Sequence, residues 1–208
     1  MDLTLTVPTA RHASILAVIA CACCCPAVAS AQHQFQAAVQ MPVAVSSEFD
    51  RTDVGVGGRF TWFPYRTVGA DAEINFYPRD FPNRAAFSSS RLEGLFGATV
   101  GPVLGRVRPF GKLRPGFVEF REAPQPIPCI LIFPPPLACT LASGRTLFAL
   151  DVGGGVELFA TQKASIRMDV GDRMLKYPGP VFDNDRVVHD DGFFSHDFRF
   201  AVGVGWGF

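Results

Sequence analysis

The last fourteen residues, Ser195 to Phe208, read SHDFRFAVGVGWGF and decide the fold. From Phe198 onward every second side chain is large and apolar, and the side chains between them are small or charged. The apolar set is Phe198, Phe200, Val202, Val204, Trp206 and Phe208, and the other set is Asp197, Arg199, Ala201, Gly203, Gly205 and Gly207. Because successive strand side chains point to opposite faces, the pattern predicts a strand with one apolar and one polar face. We interpret the apolar face as one that contacts lipid.

The same alternation occurs in seven earlier stretches. The eight predicted strands cover residues 33–45, 53–63, 68–78, 90–100, 106–120, 146–159, 164–177 and 195–208. Connections are short after the second, fourth and sixth strands and longer after the others, as in barrels with short periplasmic turns and long external loops. Only 18% of the residues are charged, below the ~25% of soluble domains. The sequence therefore predicts an all-β, eight-stranded, antiparallel, transmembrane up-and-down β-barrel.

Some residues break the regular pattern. Pro109 and Pro115 predict a bulge or a weakly paired edge in the fifth strand. Asp172 falls on the lipid-facing side and predicts a bulge or a position above the membrane. Residues 63–66 predict a tight turn. Six aromatic residues near strand ends predict girdles at the two membrane surfaces: Trp62, Tyr65, Tyr77, Tyr177, Trp206 and Phe208.

The amino terminus has the features of a secretory signal. Arg11 and His12 precede an apolar run, and Ala29-Ser30-Ala31 matches an A-x-A cleavage site. The predicted domains are therefore a signal peptide, 1–31, cleaved after Ala31, and a barrel domain, 32–208. Cleavage leaves two cysteines, Cys129 and Cys139, and an even pair in an exported protein predicts a disulfide.

Charged side chains of both signs fall on the inward side of the predicted strands. An eight-stranded barrel is just wide enough for side chains to fill it, so these charges should pair into a plug. A narrow, gated water path is the alternative. The predicted interior network consists of Arg59, Asp71, Glu73, Glu93, Lys112, Arg114, Asp151, Glu157, Arg167, Asp169 and Arg199.

Other constellations give weaker signals. Ser195, His196 and Asp197 are adjacent, but neighbouring strand residues face opposite ways, so no catalytic set is predicted. The last loop holds an acidic cluster without EF-hand spacing, Asp183, Asp185, His189, Asp190 and Asp191, which we interpret as solvated. Residues 55–58 and 153–155 are glycine-rich without forming a G-x-G-x-x-G turn before a helix, and we interpret them as inward-facing strand glycines. We predict no metal and no cofactor, and the 19 basic and 19 acidic residues give no excess that would attract nucleic acid.

The chain resembles OmpA-like and OmpX-like outer-membrane barrels. The resemblance lies in the signal peptide and in residues 149–157 (ALDVGGGVE), 166–172 (IRMDVGD) and 198–208 (FRFAVGVGWGF). It implies a location in the bacterial outer membrane, contact with its lipid, and a terminal signal at Trp206 and Phe208 that the barrel-assembly machinery reads. A monomer with external loops open to an unknown ligand is expected.

These expectations favour a non-enzymatic integral membrane barrel with a structural or porin-like, small-solute role. One alternative is a lipid-modifying enzyme on the same scaffold. Another is a secreted, lipocalin-like ligand-binding barrel, which would place its large apolar residues inside and its charges outside.

Overall fold

Eight strand positions close into a barrel in the computed structural model of the chain, which describes residues 34–78, 89–123, 129, 132–183 and 185–208. These residues belong to one compact unit, Ala31–Phe208. The predicted signal peptide, residues 1–31, lies outside the described residues, so its cleavage stays a prediction.

The barrel strands run up and down in chain order. The strands are β1 (Phe35–Ser46), β2 (Arg51–Val54), β3 (Val56–Tyr65), β4 (Val68–Tyr77), β5 (Arg91–Val100), β6 (Val107–Phe120), β7 (Arg145–Phe159), β8 (Ala164–Tyr177), β9 (Val181–Phe182), β10 (Val188–His189) and β11 (Phe193–Gly207). β2 and β3 are two parts of one barrel strand, interrupted at Gly55, and both pair with β1. β9 and β10 form a separate small hairpin. The fold class predicted from the sequence is confirmed.

The first and last strands close the sheet. β1 pairs with β11 in one antiparallel register, from Gln36 opposite Gly207 to Val45 opposite Phe198, and β11 pairs with β8 along its whole length. Closure of this kind removes the free edges that would otherwise template pairing with another chain.

Burial follows the predicted alternation. Outward apolar side chains such as Val39, Phe96 and Val204 are 62–68% exposed. The inward charged side chains between them are buried. The distribution is opposite to that of a soluble barrel, whose large apolar residues would lie inside.

The prolines of β6 do not produce the predicted bulge, but pairing along one side of the strand is weakened, as the other alternative predicted. Every residue of β6 has a partner in β7, in one unbroken register. The ladder to β5 keeps its register but is interrupted between the Leu95–Gly116 and Ala98–Leu113 pairs. The interruption coincides with Pro115, which has no N–H to donate. In a closed barrel the lost bond is tolerated because β6 is held on its other side.

The connection between β3 and β4 is tighter than predicted. Residues 63–65 belong to β3, and the turn consists of Arg66 and Thr67. A register shift between Trp62 and Tyr65 accommodates Pro64. The prediction of a turn over residues 63–66 was therefore placed too early.

A short helix, α1 (Leu137–Ala142), lies in the long β6–β7 connection and was not predicted. Three prolines, Pro134 to Pro136, directly precede the helix. They make a helix hard to predict there, because proline favours extended backbone in the residue that precedes it. No helix in the described part of the chain is long and apolar enough to cross a bilayer.

Three aromatic rings clamp the seam between the first and last strands on the outside of the barrel. The ring of Phe208 lies 6.2 Å from that of Phe35 and 6.4 Å from that of Phe60, and the rings of Phe35 and Phe60 are 5.9 Å apart. The backbone N–H of Phe208 donates to the carbonyl of Phe35 at 2.9 Å. The last residue therefore contributes to closure of the barrel through both backbone and ring.

We expect Phe208→Ala to lower the free energy of unfolding more than Phe96→Ala does. Both side chains are about equally exposed, 60% and 62%, but Phe208 belongs to the ring cluster. Aromatic contacts contribute about 1 kcal/mol beyond burial, so the difference should be of that size. Urea unfolding in lipid vesicles measures it, and equal losses in the two variants would contradict the clamp.

The assembly signal is tested separately, in cells. Deletion of Phe208 should reduce the amount of folded barrel in the membrane, because the resemblance implies that the terminal aromatic is read during assembly. The measurement is the heat-sensitive mobility shift on a gel of membrane fractions. Undiminished folded barrel after the deletion would refute a signal at this residue.

Candidate functional site in the barrel interior

All eleven residues of the predicted interior network lie inside the barrel, each with 5% or less of its surface exposed. The sequence analysis left four further buried charges out of this network: Asp53, Arg108, Arg173 and Asp197. Their positions in the strands have the same inward parity as the predicted set, so strict alternation would have found them. Together the buried set has seven cations and eight anions. Near-equality of charge is what a desolvated interior requires, because an unpaired buried charge is costly.

Arg114 and Arg199 organise the middle of the lumen. Arg114 donates from Nη1 to Glu73 at 2.6 Å and from Nε to Asp151 at 3.0 Å. Arg199 ion-pairs with the same Glu73 and, at 3.3 Å, with Glu93. Each carboxylate here is therefore shared between cations from different strands.

Lys112 extends this middle layer. Its Nζ lies 3.0 Å from Asp151 and also ion-pairs with Asp169. Asp169 in turn lies 3.5 Å from Nε of Arg167. The charges thus form a connected network in which positive and negative groups alternate.

The external half of the network is centred on Arg173. This side chain bridges Glu93 at 2.6 Å and Asp197 at 2.7 Å. Asn75 donates to Glu93 at 2.7 Å and to Glu73 at 2.6 Å. A neutral amide therefore ties the external group to the middle layer.

The half of the network nearest the short turns combines ion pairs with aromatic rings. Arg167 donates to Asp71 at 2.8 Å, and its guanidinium carbon lies 4.1 Å from the ring centre of Phe110. Arg108 lies 3.4 Å from Glu157 and 4.7 Å from the ring centre of Phe63. Cation–π contacts of this kind are strongest when desolvated, so the rings and guanidinium groups together close this end.

A second group of hydrogen bonds fills the space around Glu157. Gln36 and Ser165 donate to this carboxylate at 2.7 and 2.9 Å. The carboxylate thereby satisfies its acceptors even though its partner Arg108 is 3.4 Å away.

Two of the ion pairs span the whole width of the barrel. Around the circumference β4 and β8 are four strand positions apart, as are β5 and β11. The pairs Arg167–Asp71 and Arg199–Glu93 join these opposite strands directly. Side chains of an eight-stranded barrel can meet across the lumen in this way only if they fill it.

An apolar cluster lies on one side of the external mouth, above the charges. It contains Leu95, Val118, Phe120, Leu147, Ala149, Leu175 and Tyr177 from the strands, Leu137 and Leu141 from α1, and Val181 from β9. Leu137 and Leu141 are at most 2% exposed. The helix therefore caps one side of the mouth by burying its apolar face in it.

The loops that carry this cap are joined to each other. Cys129 and Cys139 form the predicted disulfide, with Cα atoms 5.9 Å apart. The N–H of Phe182 donates to the carbonyl of Pro135 at 3.1 Å, which links the β8–β11 loop to the β6–β7 loop. A cavity of about 10 Å³ adjoins the apolar cluster at Phe120 and is otherwise lined by Ser46, Phe49, Arg51, Asp53, Ser89 and Arg91. A cavity of this size holds about one water molecule.

The acidic cluster of the last loop is held by internal contacts. Asp183 and His189 are 2.9 Å apart. Burial acts to raise the pKa of Asp183, but the hydrogen bonds from His189 and from the Val187 N–H together lower the pKa. Burial and the charge of Asp183 raise the pKa of Glu48 in the β1–β2 loop. No group of three His, Cys, Asp or Glu residues in the described part of the chain is placed to hold a metal ion.

Ser195 and His196 point to opposite faces of β11, as the alternation predicts. Ser195 is buried, with its Oγ 3.3 Å from that of Ser47. His196 lies outside, with Nδ1 2.7 Å from Asp172. A serine hydrolase needs its base within hydrogen-bond reach of the nucleophile, so these two side chains cannot act as such a pair.

The hydrogen bond between His196 and Asp172 on the outer surface gives Asp172 a polar partner on the lipid side. The ladders from β8 to both neighbours keep one register through Asp172, so the predicted bulge is absent there. On β11 the outward residues are apolar from Phe208 to Phe198, and His196 is the next one. Further out on β11, Phe194 also points outward and is 51% exposed, so the second alternative, a position above the membrane, stays a prediction.

Glycines beside the network make room for polar side chains. A Cβ atom on Gly57 would collide with the amide of Asn75, which accepts a hydrogen bond from Gln40 at 2.9 Å. Gly55, Gly57, Gly153 and Gly155 have the inward parity that was predicted. By the same parity Gly58 and Gly154 face outward, so that part of the prediction was wrong.

The aromatic girdles differ from the prediction at the external surface. Trp62, Tyr65, Trp206 and Phe208 point outward near the short turns, with 43–72% of their surface exposed. Tyr77 and Tyr177, however, are buried in the lumen, because they continue the inward parity of β4 and β8. Near the external ends of the strands the outward aromatic residues are phenylalanines, Phe76, Phe117, Phe148 and Phe194.

A closed barrel of eight strands with an apolar outer belt, aromatic residues at its limits and a polar interior has the architecture of outer-membrane barrels. The chain has that fold.

Similarity to known proteins is limited to solved structures of low sequence identity. Neither a protein-family model nor a curated protein matches the chain. Similar solved structures include the N-terminal β-barrel domain of OprF from Pseudomonas aeruginosa, with 11% identity over 85% of this chain and 100% of that chain and a TM-score of 0.45. Neisserial surface protein A has 14% identity, over 84% and 96% of the two chains, and a TM-score of 0.49. The outer membrane protein OprG from Pseudomonas aeruginosa has 12% identity, over 85% and 96%, and a TM-score of 0.48. The assignment of the fold rests on the chain's own strand register and polarity.

We expect Arg114→Met to lower the free energy of unfolding by about 3–5 kcal/mol, because it leaves Glu73 and Asp151 buried without this partner. Asp172→Asn is the matched control: it breaks an ion pair whose side chains are 45% and 62% exposed. Exposed pairs contribute no more than about 1 kcal/mol. Urea titration in vesicles compares the two, and similar losses would contradict a network in which burial sets the strength of pairing.

Proposed function

We propose that the protein is a non-enzymatic, structural protein of the bacterial outer membrane, with a lumen closed to solutes and external loops as its contact surface. Of the two roles favoured by the sequence, structural and porin-like, the geometry supports the structural one better. The observation that carries this choice is the pair of ion pairs across the lumen, Arg167–Asp71 and Arg199–Glu93.

Passage of a solute would require these side chains to separate. Their carboxylates are also held by other strands: Glu93 by Arg173 at 2.6 Å and by Asn75 at 2.7 Å. Moving one side chain would leave several buried charges without partners, each at a cost of a few kcal/mol. A thermally activated opening of the described lumen is therefore rare.

The external cap adds a second barrier. Leu137 and Leu141 of α1 are buried in the apolar cluster of the mouth, and the disulfide restrains the loop that carries them. A solute would have to displace this helix before it met the charges. Both features support a closed barrel more than a narrow water path.

The alternative functions lack such support. An enzyme acting on lipid would need a nucleophile and base in contact on the outer surface, and Ser195 and His196 lie on opposite faces. A secreted ligand-binding barrel would need an apolar lumen, whereas the charged groups lie inside and residues such as Val39 and Phe96 lie outside. The apolar belt and the predicted signal peptide support export to the outer membrane.

The test is conductance in planar bilayers of the protein purified in folded form from the membrane. We expect no discrete conductance steps, because the charges across the lumen leave no continuous water path. A heat-sensitive mobility shift verifies folding before each recording. Reproducible unitary steps from folded protein would overturn the closed-lumen proposal in favour of a porin-like role.

A variant separates the two barriers. Leu137→Gly combined with Leu141→Gly should loosen α1 without touching the charges, and this variant should also stay silent. If the variant conducts while the unmodified protein does not, the cap rather than the ion-pair network closes the barrel. The role assigned to Arg167–Asp71 and Arg199–Glu93 would then be wrong.

A further inference from the structure

The three short turns of the barrel have one chemical feature in common. Each carries a single basic residue and no acidic one: Arg66 in the β3–β4 turn, Arg106 in the β5–β6 turn and Lys163 in the β7–β8 turn. Arg106 and Lys163 are exposed and Arg66 is partly exposed. Because the turns alternate with strand pairs around the barrel, the three cations are spread around one rim, which we call the basic rim.

The opposite end of the barrel has the opposite charge. The described residues of the long loops include seven carboxylates and only two arginines. The carboxylates are Glu48, Asp50, Glu122, Asp183, Asp185, Asp190 and Asp191, and the arginines are Arg121 and Arg186. The chain as a whole has no net charge, so the basic rim reflects an asymmetry between the ends and not a general excess of cations.

Outward aromatic residues lie directly beside the basic rim. Trp206 precedes Gly207, whose N–H donates to the carbonyl of Lys163 at 2.7 Å. Tyr65 precedes Arg66 and is 72% exposed. Aromatic residues of this kind mark the level of the lipid headgroups, so the cations are at the height of the phosphate groups.

We propose that the basic rim binds the headgroups of anionic phospholipids in the leaflet that faces the periplasm. This inference rests on the membrane-spanning orientation of the proposed function. Complementary charge carries it: the three turns contain Arg66, Arg106 and Lys163 and no Asp or Glu, so they bring a positive charge to the anionic headgroups. Each basic side chain near an anionic lipid surface raises the binding constant for that surface about fivefold. The rim thereby selects the lipid that surrounds one end of the barrel.

The two tryptophans of the chain provide a direct probe. Trp62 and Trp206 are 43% and 57% exposed and both point outward near the basic rim. The protein, purified from the membrane, is reconstituted in vesicles with brominated phosphatidylglycerol or brominated phosphatidylcholine at equal mole fraction. Quenching of tryptophan fluorescence then gives the ratio of the two apparent binding constants at this rim. Vesicles with the same lipid in both leaflets make the result independent of orientation.

We expect the ratio to favour the anionic lipid by about threefold to fivefold. The triple variant R66Q/R106Q/K163Q should bring the ratio close to unity, and high salt should do the same in the unmodified protein. The control variant R145Q/K176Q removes two basic residues from the external ends of the strands and should leave the ratio unchanged. Heat-sensitive mobility verifies that each variant is folded.

The outcomes separate the two proposals. If both brominated lipids quench equally in the unmodified protein, or if the triple variant keeps the preference, the basic rim does not bind anionic headgroups. The membrane-spanning barrel would still stand. If neither lipid quenches, the tryptophans do not contact lipid, and both the membrane-spanning assignment and the basic rim are wrong.

Discussion

The structure depends on the pairing of charges inside a narrow lumen that is lined by buried polar side chains. Eight strands set the diameter, and strand alternation sends Arg, Lys, Asp and Glu side chains into the interior. Desolvation of an isolated charge there is prohibitive, so the interior is stable only when cations and anions meet. Sharing of Glu73 between Arg114 and Arg199 shows how this is achieved with few side chains. The diameter of the barrel, the balance of charges in its interior and its closure therefore depend on one another.

Much of the fold follows from the sequence because strand alternation is local. The period of two in residues 195–208 is enough to assign each side chain to the lipid or to the lumen, and the other strands repeat it. The same rule covers Arg108, Arg173 and Asp197, whose inward parity is visible in the sequence. The buried positions of Tyr77 and Tyr177 follow from parity as well, although residue type alone suggests a girdle.

Pairing partners in the lumen could not be predicted in the same way. Which cation meets which anion depends on the stagger between strands, and the stagger is a property of the closed sheet. Arg167 and Asp71 are far apart in sequence and on opposite walls. The helix α1 was missed for another reason: its six residues are stabilised by burial of Leu137 and Leu141 in the barrel mouth, not by a helical pattern long enough to recognise.

The lumen is divided into two environments. Charges and amides occupy the middle and the end near the short turns, while an apolar cluster that includes α1 lies on one side of the mouth near the long loops. The cap is thereby joined to the wall by the same burial of apolar surface that stabilises a soluble core. The loop that carries α1 is buried at Leu141 and exposed to solvent at positions such as Phe133, which is 83% exposed.

The ion pairs across the barrel have a consequence for the order of folding. A partly formed sheet, with β4 in place and β8 not yet added, presents Asp71 to water without Arg167. Water would solvate the charged side chains on the inner face of such an open sheet. The attraction between opposite walls would become strong only when the last strands exclude water. Contacts between segments so distant in sequence form late because chain entropy opposes them. The network therefore contributes little to the pairing of the early strands, but it opposes the reopening of the completed barrel.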